Sequence, residues 1–102
     1  MIIAKEADTD TLRHEIRLAL FVVDTYVHRI TGQTPVLTAG TNGDHMRGSR
    51  HYKSAAIDVD WKPWGERPES VDKVARFVRM ALGSDYDVVI HSSHLHVEWD
   101  PK

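Results

Sequence analysis

Two short segments alternate between apolar and polar residues, and this alternation constrains the fold more than any other feature. Residues 55–61 read AAIDVDW, and residues 94–99 read HLHVEW. Successive side chains of a strand point to opposite faces, so each segment predicts a strand with one apolar and one polar face. The apolar faces carry Ile57, Val59 and Trp61, and Leu95, Val97 and Trp99. The polar faces carry Ala56, Asp58 and Asp60, and His94, His96 and Glu98.

The rest of the chain predicts two helices and two more strands. Apolar residues recur at three- and four-residue steps over 12–30 and again over 71–82, and a glycine follows each run. Residues 35–40 predict a short strand. Residues 86–91 and 94–99 predict two further strands that pair as a hairpin. This order predicts an α+β fold, with a small, mainly antiparallel sheet and two helices packed on it. We expect a single domain over residues 1–102.

Composition excludes several classes of function. The chain is 41% hydrophobic and 27% charged with a net charge of −2, so it lacks the basic excess of a nucleic-acid or membrane-surface binder. It has no cysteine, so a metal must be bound through nitrogen and oxygen. No signal peptide or membrane-spanning segment is recognisable. We therefore expect synthesis in the cytoplasm and no membrane insertion.

Two clusters of polar residues are candidates for a site. His91, His94 and His96 fall within six residues, and imidazole is the commonest metal ligand near neutral pH, although a single exposed histidine is usually an ordinary surface residue. The second cluster pairs His51, in a long polar loop, with Asp58. A straight strand would separate these two by roughly 23 Å, so the chain must fold back if both contact one metal.

Together the two clusters resemble the LAS group of zinc peptidases. That group includes D-alanyl-D-alanine carboxypeptidases, murein endopeptidases and phage L-alanyl-D-glutamate endopeptidases, with hedgehog signalling domains as relatives. Its first motif is Ser-x-His-x-x-Gly-x-Ala-x-Asp, and residues 49–58 read SRHYKSAAID. Its second motif ends in His-x-His, and residues 91–96 read HSSHLH. The resemblance covers residues 36–99 and implies a hedgehog-like or DD-peptidase-like fold.

The resemblance implies a role for each matched residue. His51, Asp58 and His96 would bind zinc and leave a fourth position open for water, as in catalytic zinc sites. His94 would bond to that water or to the developing oxyanion, and His91 matches a further pocket histidine. Ser49 matches the motif serine and would support the His51 loop. Apart from the resemblance, Asp60 and Glu98 lie on strand faces from which they could orient a ligand histidine, and a backbone carbonyl could equally do so.

The sequence departs from the family pattern at three places. Ser54 stands where the family has glycine, and Ser93 stands where many members have an acidic general base. Proton transfer would then fall to His94 or, less favourably, to Glu98. Many members also carry an arginine near positions 39–42, which this chain lacks. His45, Arg47 or Arg50 in the loop could supply that charge.

The leading interpretation is a zinc-dependent peptidase that acts on the peptide stems of bacterial peptidoglycan. It resembles a phage-type lytic enzyme, which would reach the cell wall by release or delivery. The alternative is a zinc-binding recognition module without catalysis, like the hedgehog relatives. A cupin-type metal enzyme fits poorly, because two helices are predicted and no histidine follows Glu98. The sequence does not specify the bond cut or the oligomeric state.

Overall fold

The computed structural model describes residues 1–5, 12–39, 55–65 and 67–101. The elements follow the order β1 (Ile2–Ile3), α1 (His14–Thr31), β2 (Val36–Ala39), β3 (Ala56–Asp60), α2 (Pro68–Leu82), β4 (Tyr86–Ile90) and β5 (His94–Trp99). The five strands form one sheet in the order β1-β2-β3-β5-β4. Only the β1–β2 pair is parallel among these strands. The predicted α+β class, with two helices on a mainly antiparallel sheet, is confirmed.

The two helices cover one face of the sheet. Helix α1 contacts β3 and β5, and α2 contacts β4. Each helix follows the apolar spacing of its sequence, and Gly32 ends α1 in the left-handed conformation at φ 73°. The core between the layers consists of buried aliphatic residues from both helices and from the strands; the fully buried ones include Ile16, Val23, Val27, Val74, Val78, Leu37, Ile57, Val59, Leu95 and Val97.

The opposite face of the sheet is polar, as the alternation predicts. Strand β5 lies inside the sheet and pairs with β3 on one side and β4 on the other. Residues directly opposite each other in an antiparallel pair share a face. The pairs on the polar face are Ala56 with Glu98, Asp58 with His96, Asp60 with His94, Asp87 with Glu98, and Val89 with His96. We call this surface the polar face.

Strand β1 is the element that the sequence patterns miss. It comprises two residues and pairs with β2 in parallel, Ile2 with Val36 and Ile3 with Leu37. Two residues are too few to show an alternation, so no period predicts it.

No helix in the described part of the chain is long and apolar enough to cross a membrane.

Candidate metal centre

A cross-strand pair lies at the centre of the polar face. The β3–β5 register sets Asp58 opposite His96, and Oδ1 of Asp58 lies 2.9 Å from Nδ1 of His96. Asp58 is only 9% exposed, and it is the only charged residue buried among the described residues. Its backbone carbonyl accepts a hydrogen bond of 3.3 Å from the hydroxyl of Thr38 on β2. The β2 side chain thus holds the backbone of Asp58, and the β5 imidazole contacts its carboxylate.

The second ring nitrogen of His96 faces another carboxylate. Nε2 of His96 lies 2.9 Å from Oε1 of Glu98, two residues along the same strand face. Burial lowers the pKa of His96, but the hydrogen bonds and negative charges of Asp58 and Glu98 outweigh it and raise the pKa above 6.5. With both nitrogens engaged, the imidazole plane is held in one orientation.

His94 and His91 line the same site. Nε2 of His94 lies 3.7 Å from Oδ1 of Asp58, and Nδ1 of His94 lies 3.2 Å from the hydroxyl of Ser93. The ring of His91 stacks on that of His94 with centroids 4.8 Å apart. It meets the ring of His96 edge-on at 6.2 Å. Three imidazoles and one buried carboxylate therefore form a continuous cluster.

The hairpin between β4 and β5 brings these histidines together. The amide of His91 donates to the carbonyl of His94 at 2.9 Å, which closes a tight turn through Ser92 and Ser93. Trp61, just after β3, donates its indole N–H to the carbonyl of His91 at 2.7 Å and its amide to the carbonyl of Ser93 at 3.1 Å. The turn is thereby attached to the end of β3.

The remaining candidates are placed differently. Oδ1 of Asp60 accepts a hydrogen bond of 3.1 Å from the amide of Lys62, so this carboxylate stabilises the turn after β3. Within the described residues it contacts no histidine, although it lies opposite His94 in the register. The other proposed ligand, His51, and the proposed orienting residue Ser49 lie outside the described residues. So do Ser54, His45, Arg47 and Arg50.

The spacing of the Asp58 and His96 donor atoms is compatible with two ligands of one zinc ion. Two ligands at about 2.0–2.2 Å from one ion lie about 3–4 Å apart, and the 2.9 Å separation needs little adjustment to reach that range. A carboxylate on the second nitrogen of a histidine ligand, as supplied by Glu98, is the usual arrangement around protein-bound zinc. One carboxylate with histidines is also a donor set that zinc accepts.

A second group of acidic residues was not identified from the sequence. One carboxylate oxygen from each of Asp87, Glu98 and Asp100 lies within 4.8 Å of the others, close enough to hold a cation. The alternation places Asp87 and Glu98 on one face, which is the signal that could have found the group. All-oxygen ligands suit calcium or magnesium better than zinc, and acidic groups of this kind are common without a metal.

Comparison with known proteins adds no assignment. No protein-family model matches this chain, and no curated protein matches it significantly.

Proposed function

We infer that this protein is a zinc-dependent peptidase that hydrolyses peptide bonds in the stem peptides of bacterial peptidoglycan. The observation that carries the inference is the pairing of Asp58 with His96. These two motif residues lie 38 positions apart in sequence, yet their ligand-type atoms are 2.9 Å apart in a nearly buried position. Such a position stabilises a carboxylate poorly unless a cation or a hydrogen-bond donor accompanies it.

Each described side chain would have a distinct task. Asp58 and His96 would hold the metal together with His51, through Oδ1 and Nδ1 respectively. With zinc bound, Glu98 would keep the proton on Nε2 of His96, which would leave the Nδ1 lone pair for the ion. Bound zinc would supply a Lewis acid that polarises the scissile carbonyl and makes water a nucleophile at neutral pH.

His94 is the candidate for proton transfer. Its Nε2 is 3.7 Å from the Asp58 oxygen, which places the imidazole beside the proposed metal position. The adjacent hydroxyl of Ser93 contacts Nδ1 and fixes the orientation of the ring. A neutral His94 would accept a proton from the attacking water, and a protonated His94 would stabilise the oxyanion. The stacked ring of His91 packs against one side of His94.

The second candidate function is a zinc-binding recognition module of the same fold without catalysis. One observation favours it. Position 93, where many family members carry the acidic base, is a serine whose hydroxyl contacts His94. Glu98, the nearest carboxylate on β5, already contacts His96 and would need to release that contact to act as a base.

The test combines metal analysis with digestion of purified peptidoglycan. The wild-type protein should bind one zinc per chain and release peptide fragments in a chelator-sensitive reaction. His96→Ala should abolish stoichiometric zinc binding. His94→Ala should retain zinc and reduce turnover by about 10²–10⁴-fold, as expected for a lost acid–base group. Mass spectrometry of the fragments would identify the bond that is cut.

The outcomes separate the alternatives. If Glu98→Gln eliminates cleavage and His94→Ala does not, the carboxylate is the base and the role given to His94 is wrong. If the zinc-loaded wild type cleaves no cell-wall peptide, the recognition module is the correct function. If the wild type binds no zinc, both functions are refuted.

A further inference from the structure

A groove runs between the two helices, on the side of the molecule opposite the polar face. Three adjoining cavities of about 730, 270 and 280 Å³ all share Ile30 near the end of α1. Ser70 joins the first cavity to the second, and Lys73 joins the first to the third. The first is within the size range of ligand-binding clefts, roughly 300–1,000 Å³. We call this surface the helix groove.

The helix groove combines an apolar floor with a basic rim. Its floor includes Ile30 and the stacked rings of Tyr26 and Phe77, whose centroids are 5.5 Å apart. The guanidinium of Arg76 lies over Phe77, 5.8 Å from the ring centroid. The three cavities are lined by five cationic residues, Arg29, Arg67, Lys73, Arg76 and Arg79, and by two acidic residues, Glu69 and Asp72. The lining therefore has a formal charge of +3, whereas the whole chain has −2.

These cations are not neutralised within the described residues. Glu69 and Lys73 have the i,i+4 spacing that often gives an ion pair on a helix, as do Asp72 and Arg76. In the described part of the chain neither of these two spacings gives an ion pair. The side chains of Arg29, Lys73 and Arg76 are exposed. Arg79 is different, because its guanidinium donates to the carbonyl of Val88 on the edge strand β4.

We propose that the helix groove binds an acidic, amphipathic peptide segment of a partner protein. Apolar side chains of the segment would pack on Ile30, Tyr26 and Phe77, while its carboxylates would contact Arg29, Lys73 and Arg76. This is the way in which grooves between helices bind amphipathic helices, with added charge complementarity at the rim. The groove lies on the helical layer, so its occupant would leave the polar face accessible.

A peptide explains the groove better than a nucleic acid. Single-stranded nucleic acids stack their bases on aromatic faces. Here Tyr26 and Phe77 stack on each other and Arg76 covers Phe77, so these rings contribute apolar contact instead of an open stacking platform. A polyanion without apolar groups would also leave the apolar floor of the groove uncovered.

Fluorescence anisotropy with defined probes tests the proposal. The main probe is a labelled 14-residue peptide with leucine at helical spacing and glutamate elsewhere. A lysine-for-glutamate version and a labelled oligothymidylate serve as comparison probes. The glutamate peptide should bind and the lysine version should not, and added salt should weaken binding because the rim contacts are ionic.

Charge-reversal variants locate the site. The double variant Lys73→Glu, Arg76→Glu should weaken binding of the glutamate peptide by about tenfold or more, as for lost interfacial charge pairs. Lys62→Glu is the control for a single charge reversal outside the groove, since Lys62 is exposed and lines none of the three cavities. The affinity of Lys62→Glu for the peptide should stay within about twofold of wild type. Lys62, Lys73 and Arg76 are all exposed, so each variant should fold.

Phe77→Leu tests the apolar floor. It should weaken binding of the glutamate peptide, while circular dichroism shows an unchanged fold. Three results would overturn the proposal. The first is no binding of the glutamate peptide at millimolar concentration. The second is equal loss with Lys62→Glu and with the double variant. The third is tighter binding of oligothymidylate than of the peptide, which would identify the groove as a nucleic-acid site.

Discussion

Glu98 contacts His96 through the ring nitrogen that points away from Asp58, and this contact should strengthen the proposed zinc binding. Glu98→Ala removes the acceptor on Nε2, so the proton and the ring plane are no longer fixed. We expect zinc affinity to fall by about 10–100-fold, the usual cost of losing such a partner. Competition with a chromogenic chelator would measure it.

Asp87→Ala is the matched control for this prediction. Asp87 is the β4 partner of Glu98 in the register, so its loss removes one negative charge from the same face. Zinc affinity should then change little. An equal fall in both variants would mean that Glu98 acts through the general negative potential of the polar face and not through its contact with His96.

Tyr86 connects two elements by a single hydrogen bond. Its hydroxyl donates to the carbonyl of Glu15 at 2.9 Å, which joins the start of β4 to the first turn of α1. Burial raises the pKa of Tyr86 above its ordinary value of 10.0, and the charges of Glu15 and Asp85 add to this effect. The folded state thus favours the protonated phenol.

The stabilisation by Tyr86 should therefore depend on pH. It is complete below the unfolded-state pKa of about 10 and is lost as the pH rises through the higher folded-state pKa. Tyr86→Phe should lower the free energy of unfolding by about 1 kcal/mol at pH 7, and the difference from wild type should shrink above pH 10. Urea denaturation of both proteins at pH 7 and above pH 10 would measure this difference in the free energy of unfolding. A difference that grows with pH would contradict the assignment.

Gly65 fixes how closely the turn after β3 approaches α2. A Cβ at this position would lie 2.5 Å from Cγ2 of Val71 and 2.9 Å from the carbonyl oxygen of Trp61. Gly65→Ala should therefore destabilise the protein by about 1–3 kcal/mol, the usual cost of overpacking. Lys62→Ala, an exposed change in the same turn, should stay within about 0.5 kcal/mol of wild type in the same urea titration. Equal stability of both variants would show that the turn relaxes easily.

The elements that position the site were predictable, because each shows its own periodicity. The alternation of 94–99 predicts that His94, His96 and Glu98 share a face, and the structure has them there. The β4–β5 hairpin was predictable from its short connection, but the pairing of β5 with β3 was not, since register between distant strands depends on tertiary packing and not on local pattern. For the same reason the sequence assigned Asp60 and Glu98 similar roles, although only Glu98 contacts a histidine among the described residues.

At the scale of the whole molecule, the proposed zinc binding should stabilise the fold. A ligand that binds only the folded state adds about 2.7 kcal/mol at a free concentration of 100 times its Kd. For a domain of about 100 residues this raises Tm by roughly 10 °C or more. Thermal denaturation with zinc, and again after addition of a chelator, would measure the shift.

Asp58→Asn should remove this zinc-dependent shift, because it replaces the proposed carboxylate ligand with a neutral amide. Magnesium serves as the second control. A shift with magnesium that survives Asp58→Asn would instead assign cation binding to Asp87, Glu98 and Asp100, whose donor atoms are all oxygen.

The position of β5 inside the sheet has a kinetic consequence. The pair Asp58 and His96 joins residues 38 positions apart, whereas the β4–β5 hairpin is local in sequence. Contacts between distant residues form late in folding, because loop closure must precede them. A hairpin that forms first would bring together His91, His94 and His96 before Asp58 joins them. Mixing unfolded chain with zinc would then yield a weakly held, hairpin-like complex first, and tight uptake would follow at the rate at which β3 docks against β5.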